Sequence, residues 1–392
     1  MSDSFIPLCV PEIRGNEWTY VKECLDTGWV SSVGSYVDRF EQMVAERVDA
    51  RFGIACVNGT SALHVSLMLA GVQAGDEVLV STLTFIAPAN AIRYLGAHPV
   101  FVDAEPDYWQ MDVTKAGEFL ERECARENGR LVNRRTGRRV AAILPVHALG
   151  HPVDMEPLIA LARRHELPVI EDATESLGAT YRGTAAGHLG DIACFSFNGN
   201  KILTTGGGGV IVTDRETWAT RARYLTTQAK DDPVEYVHHE IGYNYRLTNL
   251  QAAMGCGQME RLDDCIASKR DTARFYAGAF ADLPGITCMR EASWAGSIAW
   301  MFTIRLDADL FGCGSRDLLR VLGGQKIQTR PLWQPIHRSP AHAGAQALGG
   351  EVADALYRDC LSLPCSAGIT AAERERVAAA VRAAHKSPSV AR

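Results

Sequence analysis

The chain has 392 residues, and at about 150 residues per domain that length makes two to three domains the prior. It is 47% hydrophobic and 22% charged, a globular balance that excludes disordered, collagenous and coiled-coil classes. Forty basic residues against 46 acidic ones leave a formal charge of −6, which excludes a protein that holds nucleic acid by bulk electrostatics.

Taken in chain order, short apolar runs alternate with helix-period segments over the first 215 residues. The runs cover 52–57, 77–81, 100–103, 140–146, 169–171, 192–197 and 210–213, and helical patterns cover 61–70, 86–95, 113–126 and 155–165. This alternation predicts βαβ units and a mainly parallel sheet covered by helices on both faces. The last two runs are joined by a glycine-rich stretch rather than a helix, which suits an antiparallel pair. Arg130, Arg134, Arg135, Arg138 and Arg139 form one basic cluster. No aromatic residues accompany them for base stacking, so a solvated hairpin is the reading. A long helical pattern at 250–266 continues past Ser268 into another that ends at Leu283-Pro284-Gly285. A strand-like run at 301–306 and helical patterns near 351–360 and 371–385 follow. The expected division is residues 1–250, an N-terminal arm and a large α/β domain, and 251–392, a linking helix and a small α+β domain. The tail after His385 is expected to fray.

Eleven cysteines without a CxxC spacing speak against a zinc ribbon or a dithiol centre. Cys56 and Cys194 lie in apolar runs and read as small buried hydrophobes. The first residues lack a charged segment followed by an apolar stretch, and no run of 18 apolar residues occurs. A soluble cytoplasmic protein without a membrane partner is expected.

Three segments carry chemistry. In Asn58-Gly59-Thr60-Ser61-Ala62-Leu63 a turn leaves a strand and opens a helix. Its glycine and hydroxyls leave backbone N–H groups free for a phosphate, although Thr and Ser serve equally as N-caps. In the second, an apolar strand ends in Glu171 and Asp172, at the edge where α/β folds bind ligands. Further ligands at metal spacing are missing, so a single Asp facing a protonated heterocycle is the better functional use; helix capping is the plainer one. In the third, Ser196 ends a buried strand, Lys201 lies just past it, and both precede Gly206 to Gly209. A lysine there becomes a Schiff-base nucleophile if its amine is desolvated or set beside other cations; a hairpin with a surface lysine is the plainer reading. Because it precedes the glycines, the segment is not a nucleotide P-loop. His147 and His151 are spaced four apart, but Gly150 and Pro152 spoil a helix, and no metal is expected. A phosphate turn, a strand-end Asp, then Ser and Lys are together what pyridoxal phosphate requires.

With those residues in view, the chain resembles the DegT/DnrJ/EryC1/StrS sugar aminotransferases. The resemblance spans nearly the whole chain, through 28–41, NGTSAL, TFIAPANAI, EDATESLG, FSFNGNK, TTGGGG, GYNYRLTNLQAA, IQTRPLW and LPCS. It implies a fold-type I α/β enzyme with a mainly parallel seven-stranded sheet between helices and a smaller C-terminal α+β domain. It implies pyridoxal 5'-phosphate, with pyridoxamine 5'-phosphate as the intermediate form, L-glutamate as amino donor and a nucleotide-linked ketosugar as acceptor. By resemblance Lys201 forms the Schiff base and moves the proton, Asp172 pairs with the ring nitrogen, and Phe85 stacks on the ring. Gly59, Thr60, Ser61 and Ser196 match the phosphate site, and Glu175 lies near the 3-hydroxyl. A homodimer with shared active sites is implied, with Asn244, or Arg246, reaching the partner's phosphate. Ser31, Ser32, Tyr36, Arg330 and His337 lie in segments that line the sugar site in similar enzymes. The motifs SFNGNK with TTGGGG, TTQAKDDP and IQTRPLWQPIH resemble most the branch acting on UDP-2-acetamido-2,6-dideoxy-hexos-4-ulose, as in legionaminic acid and related pathways. A GDP-perosamine synthase-like or dTDP-ketosugar enzyme is the alternative, and a regulatory cofactor-binding protein without turnover is the alternative of another class.

Overall fold

In a computed structural model, residues 4–232 and 234–385 are described; the tail expected to fray lies outside them. The main sheet has seven longer strands, β1 (Phe52–Cys56), β2 (Glu77–Ser81), β3 (His98–Val102), β4 (Val140–Leu144), β5 (Ile170–Asp172), β6 (Ile192–Ser196) and β7 (Gly209–Thr213), and the two-residue edge strand Ala347–Leu348. Pairing runs β1, β7, β6, β5, β4, β2, β3, and Ala347–Leu348 closes the edge parallel to β3. The β4–β5 junction is made by the parallel bridges Ile143–Val169 and Val146–Asp172. Only β7 runs against its neighbours, so the glycine-rich stretch does join an antiparallel pair. Strands β2, β4 and β7 are buried at every residue. That burial explains why they read as unbroken apolar runs, the mark of a sheet covered on both faces.

Helix α1 (Glu17–Thr27) and helix α2 (Ser35–Arg47) pack on the helix Asn249–Met259. Ahead of them, Ile6 makes a parallel bridge to Ile327, so the arm also joins the C-terminal part of the chain. There, Ile286–Cys288, Phe302–Leu306 and Cys360–Leu363 form an antiparallel sheet. Helices Ser315–Gly324 and Ala371–Ala384 belong to the same part.

Two expected helices are corrected. The pattern at 113–126 is α-helical only over Val113–Glu118, and a π turn at Phe119–Glu123 follows. Cys124–Glu127 then pairs with Arg130–Asn133 as a hairpin. Its turn is Asn128-Gly129 with φ of 50° and 78°, the residue pair that tight hairpins favour. The long pattern at 250–266 is also two helices, Asn249–Met259 and Leu262–Phe280. The break falls where Glu260 accepts hydrogen bonds from Asn16, Tyr20 and Arg39, at 2.7, 2.7 and 2.8 Å. These tertiary bonds, which no local pattern encodes, tie the junction to α1 and α2.

Candidate active site

The C-terminal ends of the parallel strands open into a cavity of about 290 Å³. Asp172 is the last residue of β5 and Ser196 the last of β6. Adjacent strand residues point to opposite faces, and this separates the paired acids. Glu171 turns away from the cavity and is buried, accepting from Gly187, Leu189 and Gly190 N–H at 2.8, 2.8 and 2.6 Å and contacting His147 Nε2 at 2.8 Å. Asp172 lines the cavity, and its Oδ1 accepts from Thr174 N–H at 3.1 Å. Burial pushes its carboxyl above the usual range, against the lowering effect of Thr174 and the Lys201 charge.

Helix α3 (Gly59–Leu69) starts at the cavity, with Asn58 as its N-cap: the Asn58 side chain accepts from Ser61 N–H at 2.8 Å. The expectation that Thr60 or Ser61 is the cap is thereby corrected. Gly59 and Thr60 line the cavity, whereas buried Ser61 does not. A Cβ on Gly59 would lie 2.9 Å from Ser196 Cβ, so glycine is what lets the helix start meet the end of β6. Likewise a Cβ on Gly209 would lie 2.6 Å from the Asn58 carbonyl.

Lys201 lies in the connection between β6 and β7. Its Nζ is 3.1 Å from Glu175 Oε1 and 4.4 Å from the centre of the Trp300 ring. The other Glu175 oxygen accepts from Leu149 N–H at 2.9 Å. Burial raises the Glu175 carboxyl against the opposing Lys201 charge. Phe85 also lines the cavity and remains 56% exposed, offering an apolar ring face.

Of the residues singled out from sequence, the fold thus gathers Gly59, Thr60, Phe85, Asp172, Glu175, Ser196 and Lys201 around one cavity. Others go elsewhere in this chain. Tyr36 is buried, its phenol donating to Glu23 at 2.6 Å, so it does not line the cavity. His337 is held between Thr82 at 2.8 Å and Asp354 at 3.4 Å, away from the lining. Arg330 is exposed and its guanidinium donates to the Thr329 carbonyl at 2.9 Å. The carbonyls of Ser31 and Ser32 accept from Asn249 N–H at 2.6 Å and Arg246 Nε at 3.2 Å. Arg246 further lies 3.5 Å from Glu41 and 3.7 Å from Asp38, so its charge is used within the chain, whereas Asn244 is exposed.

Sequence reasoning missed Trp300 and Trp333. Both line the cavity with their rings parallel, 6.4 Å apart, and Trp300 Nε1 donates to the Asn200 carbonyl at 2.8 Å. IQTRPLW held the signal for Trp333; no local pattern marks Trp300.

An amine beside a buried carboxylate, a second acid at a strand end and a helix start on the same cavity form a coherent donor set. They fit a phosphorylated pyridine: a ring face at Phe85, a cradle of N–H groups at Gly59 and Thr60, and an anion for a ring N–H at Asp172. The family model described as the DegT/DnrJ/EryC1/StrS aminotransferase family matches residues 11–382. The chain therefore belongs to that family, and it is a pyridoxal phosphate-dependent aminotransferase of fold-type I. It is 42% identical over 378 residues to GDP-perosamine synthase of Caulobacter vibrioides, covering 96% of this chain and 97% of that one. GDP-perosamine synthase of Escherichia coli O157:H7 is 38% identical, over 86% and 87% of the two chains. The solved structure of DesV from S. venezuelae superposes with a TM-score of 0.83 at 31% identity, over 94% of each chain. Among the described residues no helix is long and apolar enough to cross a membrane.

Proposed function

We propose that the protein transfers the amino group of L-glutamate to the C4 keto group of a nucleotide-linked 4-keto-6-deoxy sugar. The observation that carries this reading is the Lys201–Glu175 contact of 3.1 Å on the same cavity as Asp172. The bound cofactor supplies an electron sink for the carbon that gains or loses a proton. Lys201 is the group that takes and returns that proton, and Glu175 fixes where its Nζ waits. Asp172 holds a positive ring nitrogen by its charge, while Gly59, Thr60 and Ser196 hold the phosphate and Phe85 covers the ring. The family relationship and Lys201 together weigh against a regulatory protein without turnover.

For the sugar, the segments around Asn198, Asn200 and Trp333 lie in the motifs that favour the UDP-2-acetamido-2,6-dideoxy-hexos-4-ulose branch, and all three residues line the cavity. The second reading is a GDP-linked 4-keto-6-deoxymannose, favoured by the 42% identity to a GDP-perosamine synthase. Incubation with glutamate and each ketosugar, read by mass spectrometry, separates the two.

We also propose a homodimer in which Asn244 reaches the partner's cofactor phosphate. In support, Trp18, Trp29, Val33 and Ile241 are exposed at 76, 57, 67 and 84% in a single chain, more apolar surface around the arm and the 241–244 segment than water favours.

A further inference from the structure

The arginine-rich segment plays no part in the proposed transamination, and it lines a second cleft. Glu77 and His98 open β2 and β3, so this cleft of about 300 Å³ lies at the N-terminal ends of strands whose sheet carries Asp172 and Ser196 at its opposite edge. The loop at 135–138 and the segment 341–346 form its other walls.

Three guanidinium groups line it, those of Arg93, Arg135 and Arg138. Arg138 lies 3.7 Å from Glu77, whose carboxylate also accepts from Asn133 and Thr136 at 2.8 Å each. The other two have no counter-charge among the described residues. Among the described residues the Arg93 guanidinium meets the Ala97 carbonyl at 3.3 Å and His98 Nδ1 at 3.0 Å. The Arg135 side chain has no partner among the described residues. His342, also in the wall and buried, contacts Asn90 through Nε2 at 3.1 Å and leaves Nδ1 without a hydrogen bond. Among the described residues no Phe, Tyr or Trp lines the cleft, so nothing among them would stack on a nucleobase there.

Two guanidinium groups in one cleft, without a counter-charge among the described residues, suit an anion with several acceptor oxygens, because their planar forks match phosphate geometry. We propose that this cleft binds a phosphate or diphosphate group, free or carried on a small metabolite, held by Arg93 and Arg135 and separate from the transamination cavity.

The test is calorimetric titration of the cofactor-loaded protein at low salt with inorganic phosphate, inorganic pyrophosphate and glucose 1-phosphate. Saturable binding of at least one probe is expected, weakened at least about tenfold in the Arg93→Ala/Arg135→Ala double variant, with the transamination rate unchanged. Arg135→Ala alone removes a side chain without partners, so its weaker binding would not reflect misfolding. A preference for glucose 1-phosphate supports a metabolite as the source, and a preference for an inorganic probe supports the free ion. Failure of all three probes to bind, or equal affinity in wild type and both variants, would overturn the proposal.

Discussion

Lys201 makes the most definite demand at the scale of single residues. With its Nζ 3.1 Å from Glu175 and facing Trp300, Lys201→Ala should abolish turnover and also the borohydride-reducible link to the cofactor, read as intact mass after reduction. An unimpaired rate would contradict the assignment. Asp172→Asn keeps the shape but removes the charge that holds a protonated ring, and a loss of about 100-fold, roughly 2.7 kcal/mol, is expected in single-turnover rates. A loss below about threefold would mean that another acid does this work. Both residues were legible in the sequence, because a strand-end acid and a lysine before glycines are local signals. What the local signal lacked was direction: only the alternation of β5 tells which of Glu171 and Asp172 faces the cavity. Trp300 was illegible for a different reason, since it arrives from about a hundred residues downstream and its surroundings there are those of any strand entry.

At the scale of elements, the start of α3 and the end of β5 show how backbone geometry shapes the site. Gly59→Ala forces a Cβ to within 2.9 Å of Ser196 Cβ, pushing the helix start from the end of β6. Cofactor affinity should fall at least about tenfold, equivalent to 1.4 kcal/mol, in absorbance titrations, and unchanged affinity would place the phosphate elsewhere. Glu171 anchors the loop 187–190 to β5. Burial would raise its carboxyl, but the His147 contact and the Gly190 and Gly187 backbone donors outweigh burial and hold it below the usual range. Its stabilisation is therefore present above the unfolded value of about 4.3 and is lost as pH falls through the lower folded value. Glu171→Gln should cost about 1–3 kcal/mol in urea unfolding at pH 7, and the difference from wild type should shrink towards pH 3. A constant difference across that range would show that charge plays no part. Strands β1 to β7 were all legible as apolar runs, whereas the two-residue edge strand Ala347–Leu348 was not. The hairpin at 124–133 and the break at 260 were not: the first needed the Asn128-Gly129 turn to be weighed against helix period, and the second is made by partners in α1 and α2.

Considered as a whole molecule, the proposed substrate residues are the part least legible in sequence. Tyr36 and His337 lie in segments shared with the family, yet their side chains are used for internal bonds, because a motif fixes a segment and not where each side chain points. The proposed dimer makes a separate demand. Asn244→Ala and Lys201→Ala should each be impaired, and mixing them after dissociation should return activity, because hybrid dimers carry one site with both residues intact. No recovery in mixed samples that contain hybrids by native mass spectrometry would contradict a shared site.

The central claim is tested most directly by mass spectrometry of the protein with pyridoxal phosphate and L-glutamate, in parallel with UDP-linked 4-keto-6-deoxy-GlcNAc and GDP-linked 4-keto-6-deoxymannose. A 4-amino sugar and 2-oxoglutarate are expected in the UDP reaction. Product only in the GDP reaction would keep the site and correct the substrate to that of the perosamine type. Absence of both products, with cofactor bound and a dTDP-linked ketosugar equally unreactive, would contradict sugar amination itself.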